Sequence, residues 1–400
     1  MDKQRLWIIS ELFPPDETST AFILGEIANV MTQKYGVKVI CGPEIYDKRK
    51  KIDNDHRFEI GSGIEVLRAK GVETDKNTFI GKAIRFAVVS RQLYRLAKCN
   101  IRKEDKVLLV TNPAPMVVMV SKLKKKIGFE LHILVHDVFP ENTIPAGFKL
   151  PKSVYRMTKG MFDAAYGRAD QLIALGRDMK EVLGEKVRKA NKDTQITIIQ
   201  NWADLNIVSP KKRDVVIDKG RKIEIGYAGN IGRVQGLQEF LEHLRGAENE
   251  CLSFHLWGTG AEENALKEYA REYNLANVFF HGPYFRSQQA DIINGCDIAL
   301  VTLTEGMYGL GVPSKTYNIM AAGKPILYIG EDKSEIGLLV KEKSIGYVFA
   351  PEDKSGVLAF LKNLTSERFP QLWEMGARAR KVAEEEYAKD VILKRFLNVI

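Results

Sequence analysis

Short apolar runs of strand length alternate along the chain with stretches whose apolar residues recur every three to four positions. Residues 6–10 (LWIIS) read as a first strand, 21–35 as a helix and 37–41 (VKVIC) as the next strand. Further strands are predicted at 107–111, 132–136, 171–175 and 196–201. A charged, apolar-poor break follows at 211–222 (KKRDVVIDKGRK), and then the pattern restarts. Strands at 223–229, 253–258, 277–282, 297–303 and 325–330 again alternate with helical periodicity. Most of these runs are apolar throughout rather than at every second position, which predicts strands buried on both faces of parallel sheets. The pattern therefore gives an α/β fold of two Rossmann-like, doubly wound domains. The first spans 1–203 and the second 204–377. A last amphipathic segment, about 378–400, reads as one long helix crossing back to the first domain. In such sheets ligands bind beyond the carboxyl ends of strands, so the loops that follow each strand are the informative positions.

Composition agrees with this division and adds a polarity. The chain has 400 residues, 45% of them hydrophobic, enough for two cores. Net charge is +9, and the excess of Lys and Arg lies in the first 200 residues. Residues 80–103 carry seven basic side chains and no acidic one, interleaved with apolar residues, and KLKKK follows at 122–126. This pattern fits either a solvated helix face or a basic amphipathic helix lying on an anionic surface. The four cysteines form no CxxC pair and read as reduced, mostly buried residues of a cytosolic protein. No apolar stretch reaches the roughly 18 residues of a membrane span, and the first apolar run is too short for a signal peptide.

Several loops carry candidate chemistry. GVPSKTYNIMAAGKP (311–325) predicts a short helix opened by Pro313 and Ser314 and closed by Gly323 and Pro325. Ser314, Lys315 and Asn318 share one side by their spacing. Alone, the segment fits equally a capped core helix or an anion site. GNIGRVQGL (229–237) follows a strand and places glycines and Arg233 where a diphosphate can be approached. Its spacing is not GxGxxG, and no Gly-rich loop follows the first strand, which argues against a nicotinamide site there. WGTG (257–260) and HGPYF (281–285) are two more post-strand turns. His136 ends the strand HILVH and is either a cleft residue or a structural one. His132 and His136 lie about 13 Å apart along a strand and cannot share a metal; no other His or Cys spacing resembles a metal site.

Taken together, ELFPPDETSTAF, HDVFPEN, RADQLIALGRDMKEVL, YAGNIGRVQGL, WGTG and VPSKTYNIMAAGKPIL resemble, in order and spacing, a bacterial glycosyltransferase of family 4. The resemblance covers nearly the whole chain. It is most specific in the Pro-Ser-Lys branch found among capsule, O-antigen and exopolysaccharide transferases. It implies the GT-B architecture, with the two domains facing across a cleft, and a retaining transferase using a nucleotide-sugar, a UDP-sugar by preference. Gly229, Asn230, Arg233 and Gln235 would face the donor diphosphate, with Gly258 in the neighbouring turn. Ser314 and Lys315 would receive the diphosphate from the other side, Asn318 a ribose hydroxyl, and Pro283, Tyr284 and Phe285 the base. His136 would approach the donor sugar, with Arg233 and Lys315 as its catalytic partners, and the acceptor would enter near Thr18, Ser19 and Thr20. No metal ion and no cofactor are expected. The acceptor would be lipid-linked or saccharide, and the protein cytoplasmic and peripheral at the inner face of the membrane through its basic first domain. Nucleic acid is not an expected partner.

The chain departs from the family pattern. Asn230 and Gln235 stand where Arg and Lys are usual, and Leu310 and Asn318 where two glutamates are usual. Two other readings therefore stay open: an enzyme like the UDP-N-acetylglucosamine 2-epimerases, and a catalytically degenerate transferase acting as an assembly partner.

Overall fold

The computed structural model describes residues 3–44, 58–70, 79–148, 150–190, 194–211 and 220–400, with side chains from Phe86 onward in the helix that begins at Phe79. Most of the charged break at 211–222 lies outside the described residues. The chain divides into two compact units. One comprises Met1–Asn142, Lys149–Gln200 and Leu393–Ile400; the other comprises Thr143–Phe148 and Asn201–Ile392.

The first unit is built from β1 (Arg5–Ser10), α1 (Ser19–Met31), β2 (Gly36–Cys41), β3 (Glu65–Arg68), α2 (Phe79–Asn100), β4 (Lys106–Val110), α3 (Pro115–Ile127), β5 (Glu130–Leu134), α4 (Lys152–Tyr166), β6 (Gln171–Ala174), α5 (Arg177–Lys189) and β7 (Gln195–Ile198). Its seven strands form one parallel sheet in the order β3-β2-β1-β4-β5-β6-β7. The inner strands are apolar because both faces are covered: Leu6, Ile8, Ile9, Val107, Leu108, Leu131 and Ile133 have no solvent exposure. The edge strands β3 and β7 are only half-buried. A buried ionic cluster ties the loop after β5 to α4 and α5. Lys186, 2% exposed, contacts both carboxylate oxygens of Glu141 at 2.7 Å and Asp163 at 2.7 Å. Lys159 closes the cluster on Asp163.

The second unit contains β8 (Ile223–Ala228), α6 (Leu237–Ala247), β9 (Leu252–Trp257), α7 (Glu263–Glu272), β10 (Val278–Gly282), α8 (Gln289–Gly295), β11 (Ile298–Thr302), α9 (Lys315–Ala321), β12 (Ile326–Ile329), α10 (Glu335–Lys343), β13 (Gly346–Phe349), α11 (Lys354–Lys362), α12 (Phe369–Glu386) and the first turn of α13 (Lys389–Val399), the rest of which belongs to the first unit. Its sheet is also parallel, in the order β10-β9-β8-β11-β12-β13. In both units the strand order reverses beside the first strand, at β1/β4 and at β8/β11. These are the switch points where open α/β sheets present a crevice at their carboxyl ends.

The C-terminal segment differs from the single helix that the sequence predicts. It breaks between α12 and α13, where Tyr387 O accepts the Ala203 N–H at 2.7 Å and Ala203 bridges to Ala388. The end of α13 joins the first unit: Ile400 O accepts from Tyr35 Oη (2.5 Å) and Lys106 Nζ (2.7 Å). Of the four cysteines, Cys41 and Cys296 are buried, while Cys99 and Cys251 are exposed rather than buried as expected.

Candidate active site

In the second unit three loops meet at the carboxyl end of the sheet and are joined by main-chain hydrogen bonds. Gly258 N donates to Gly282 O (2.7 Å), Gly229 N to Trp257 O (2.9 Å) and Ile231 N to Thr259 O (3.0 Å). The loops after β8, β9 and β10 are thus linked in series. Gly258 has φ +132°, and a Cβ there would lie 1.8 Å from Gly229 O, so no other residue fits. Gly229 has φ +151°, and a Cβ on it would lie 2.7 Å from Lys315 Nζ. The glycine makes room for the lysine.

Lys315 is the first residue of α9, and its ammonium lies over the Tyr227 ring, 3.5 Å from the centroid. Burial alone holds its pKa down, to about 7. Tyr227 is 1% exposed and donates its hydroxyl to Asn230 O at 2.6 Å. One ring therefore supports the lysine and fixes the glycine loop. Tyr284, from the loop after β10, lies close enough to Tyr227 to help raise that hydroxyl's pKa, after the larger effect of burial. A small pocket opens beneath Lys315, lined by Gly226, Tyr227, Trp257, Gln289, Ile293 and Ile319. The far end of α9 is fixed by Arg380, whose guanidinium donates to Ala321 O at 2.6 Å.

Among the sequence-predicted donor residues, Gly229, Gly258 and Lys315 come together here, with Tyr284 beside Tyr227. Asn230 contributes its carbonyl to Tyr227. Gln235 folds back, its Oε1 accepting from Gly232 N at 3.1 Å, and so braces the loop. Arg233 is exposed and faces Glu262 at 3.6 Å. Pro283 and Phe285 sit in the loop after β10, with Phe285 N donating to Gln288 Oε1. Ser314 opens α9 but makes no cap hydrogen bond, contrary to expectation. Its backbone is already helical (φ −63°, ψ −24°), whereas a capping side chain needs an extended residue. Asn318 is 8% exposed, and its amide is engaged on both sides: Oδ1 accepts from Asp204 N (3.0 Å) and Nδ2 donates to Gln289 Oε1 (3.0 Å). It works as a strut between α9, α8 and the segment entering this unit. The sequence reading did not single out Tyr227, an aromatic residue on a buried strand.

In the first unit, Thr18, Ser19, Thr20 and His136 gather at the carboxyl end of its sheet. Thr18 caps α1 by accepting from Ala21 N at 3.2 Å, and Ser19 begins the helix. Thr20 Oγ1 lies 3.5 Å from His136 Nδ1. The main-chain N–H groups of His136 and Asp137 both donate to Thr111 Oγ1, which fixes the turn. His136 Nε2 is buried without a hydrogen-bond partner, and desolvation takes the imidazole pKa down to about 4. The ring is neutral at physiological pH. Burial also pushes Asp137 up to about 6.

Comparison with known proteins places this arrangement. The family model for glycosyl transferases group 1 matches residues 222–366. The chain is 30% identical to the probable glycosyltransferase WbjE of Pseudomonas aeruginosa, over 98% of its own length and 96% of that protein's. It is 27% identical to the putative colanic acid biosynthesis glycosyl transferase WcaI of Escherichia coli K12, over 55% of this chain and 53% of that protein. Its fold resembles that of Anabaena HepE in complex with UDP, at TM-score 0.69 and 14% identity, covering 99% of this chain and 98% of that one. Two doubly wound parallel-sheet units of this kind constitute the GT-B fold. The likeness to WbjE runs nearly end to end, and the family model falls on the unit holding the glycine loop and Lys315, so the chain belongs to the glycosyl transferases group 1 and is a transferase enzyme.

Proposed function

We propose that the enzyme moves a sugar from a nucleotide-sugar, with UDP as the leaving group, to a saccharide or lipid-linked acceptor in bacterial surface polysaccharide synthesis. One observation carries this reading: a half-buried lysine ammonium beside a glycine loop, balanced by an aromatic face rather than a carboxylate. Such a cation awaits an anion of the ligand. The UDP bound by HepE and the colanic acid biosynthesis named for the relative WcaI support the choice of donor and pathway class.

In this reading the bond between the anomeric carbon and the diphosphate breaks as the acceptor oxygen bonds to that carbon. Negative charge collects on the diphosphate, and Lys315 neutralises it where it develops. Gly229 lets the diphosphate approach the lysine, and Tyr284 with its neighbours in the loop after β10 takes the base. Within the first unit, neutral His136 can donate or accept a hydrogen bond at a sugar hydroxyl without adding charge. The acceptor enters by Thr18–Thr20 and leaves its proton on the departing phosphate, so the anomeric configuration is retained and no metal takes part. The reaction takes place at the cytoplasmic face of a membrane. Among the described residues no helix is long and apolar enough to cross one.

A thermal-shift panel with UDP, GDP, ADP and CMP, each with and without EDTA, tests the donor. Stabilisation by UDP alone, unchanged by EDTA and abolished in Lys315→Ala, is the expected result. No shift with any nucleotide overturns the reading. UDP binding without turnover of any UDP-sugar favours the assembly-partner role, for which the engaged amide of Asn318 is the supporting observation.

A further inference from the structure

On β9, Phe254 and Leu256 pack into the core of the second unit beside Phe240 of α6. By the alternation of a strand, His255 and Trp257 therefore stand on the opposite face of the sheet. There His255 Nε2 lies 2.7 Å from Glu224 Oε2 on β8, and His255 Nδ1 lies 2.9 Å from His281 Nε2 on β10. One hydrogen-bonded row thus crosses three neighbouring strands. The two imidazoles are tilted by 14° with centroids 5.2 Å apart, and a 2.9 Å contact at that separation requires rings that meet edge to edge. Beside the row, the Trp257 indole stacks on His281 at 4.4 Å, and Phe279 stacks on His255 at 4.8 Å. Glu224 is itself held from β11's side: its N–H donates to Asp297 Oδ2 at 3.0 Å, and its carbonyl accepts from Asp297 N at 2.7 Å.

The chemistry of the groups fixes the direction of the row. A carboxylate only accepts, so His255 Nε2 donates to Glu224. In a neutral ring Nδ1 is then the acceptor, and His281 Nε2 must donate to it. Burial, and after it the neighbouring His255, hold the His281 pKa below its ordinary value, so this ring is neutral at pH 8. Each imidazole is left with one tautomer and one orientation.

The far end of the row is a bulge. Strand β10 pairs with β9 as Phe280 to Leu256 and then as Gly282 to Trp257, so His281 is an extra residue in the ladder. Where the ladder slips, its hydrogen bonds no longer set the path of the chain; here the bond to His255 and the stack on Trp257 do. Both ends of that stack lead to the loops of the candidate site. Gly282, next to His281, accepts from Gly258 N through its carbonyl and opens the Pro283–Phe285 turn. Trp257 gives its carbonyl to Gly229 N and lines the pocket beneath Lys315. His281 is exposed and Phe279 is 42% exposed, so the row adds little to the core. What it adds is orientation.

We propose that Glu224, His255 and His281 are positioning residues: their row fixes the bulge in β10, and through it how the Pro283–Phe285 turn and the Trp257 wall stand at the donor pocket. That the turn receives a base rests on the transfer reading; that the row holds the turn and the indole does not.

The test uses the full chain labelled with 15N in histidine and tryptophan, at pH 8. Nuclear magnetic resonance should show His255 and His281 both as Nε2–H tautomers. In Glu224→Ala, His255 should become a tautomer mixture and the Trp257 indole resonance should shift. Calorimetric titration with UDP should show affinity falling roughly five- to tenfold in Glu224→Ala. His255→Phe, which keeps a ring against Phe279, should lose about as much, and the double variant no more, because the two act through one row. Glu224→Gln, whose amide oxygen accepts the same bond, should bind UDP within about twofold of wild type. An Nδ1–H form of either ring would overturn the proposal. So would a Trp257 resonance and a UDP affinity both unmoved in Glu224→Ala, additive losses in the double variant, or a Gln variant as weak as the Ala one. Wild-type protein that binds no UDP would count against the donor reading, while the tautomers and the Trp257 resonance would still decide the role of the row.

Discussion

If Lys315 meets the donor diphosphate, nucleotide-sugar binding must consume a proton. In the free protein desolvation holds the half-buried amine at a pKa of about 7, so it is mostly neutral at pH 8. Beside two phosphates the ammonium regains an opposite charge, and its pKa should return toward the ordinary lysine value of about 10.4. The sign follows: between these values the complex holds one proton more than the free protein, so affinity falls as pH rises. Below pH 7 the lysine is protonated in both states and the dependence vanishes. At pH 8 uptake should be about 0.9 proton per donor bound, and from pH 6 to pH 9 affinity should fall roughly a hundredfold. The assay is calorimetric titration with an intact nucleotide-sugar in two buffers of different protonation enthalpy. An intact donor has both phosphates esterified and lacks the free phosphate ionisation near pH 6. Lys315→Arg keeps its charge throughout and should bind with no uptake and a flat profile. Lys315→Met should be flat as well, and weaker at pH 6 by roughly ten- to a hundredfold. A wild-type protein that takes up no proton at pH 8, or a Lys315→Arg variant that still does, would refute the argument.

Two further outcomes follow from the packing. Tyr227→Phe keeps the ring under Lys315 but removes the 2.6 Å bond to Asn230 O, so steady-state kinetics should show a several-fold rise in donor KM and little change in kcat. Glu141→Gln removes a carboxylate from Lys186 and should destabilise the fold by about 3 kcal/mol in urea unfolding. Burial opposes the Glu141 charge, but Lys186 and Lys159 outweigh it and hold the carboxyl below its ordinary range. The wild-type contribution is therefore complete above the ordinary glutamate pKa and is lost as pH falls through the lowered one, a dependence the Gln variant should not show.

The sheets were largely readable because their inner strands are buried on both faces and so consist of continuous apolar runs. Two strands escaped that reading, β3 (EVLR) and β13 (GYVF). Both lie at sheet edges, are only half-buried, and therefore lack the signal. The break at Tyr387 carries no Gly or Pro; it is made by pairing with Ala203, nearly two hundred residues away in sequence. In the site, the glycines were legible because the turns after buried strands need them. Asn318 was harder to place. Three residues along a helix turn a side chain by about 300°, and that residual angle separates a lysine over Tyr227 from an amide bound to Asp204 and Gln289. Tyr227 itself looks like core from its neighbours, and only the fold brings Lys315 onto its ring.

The serial bonding of the three loops in the second unit has a consequence for how such an enzyme diversifies. Gly282, Gly258, Trp257, Gly229, Thr259 and Ile231 are joined through main-chain groups alone. The scaffold at the mouth of the sheet is therefore indifferent to most of the side chains it carries. Asn230, Arg233 and the Pro283–Phe285 turn can be exchanged as interchangeable fittings while the spacing between loops is kept. If these loops hold the donor as proposed, a chain of this construction can change the sugar or base it accepts by single substitutions, without rebuilding the support on which Lys315 depends.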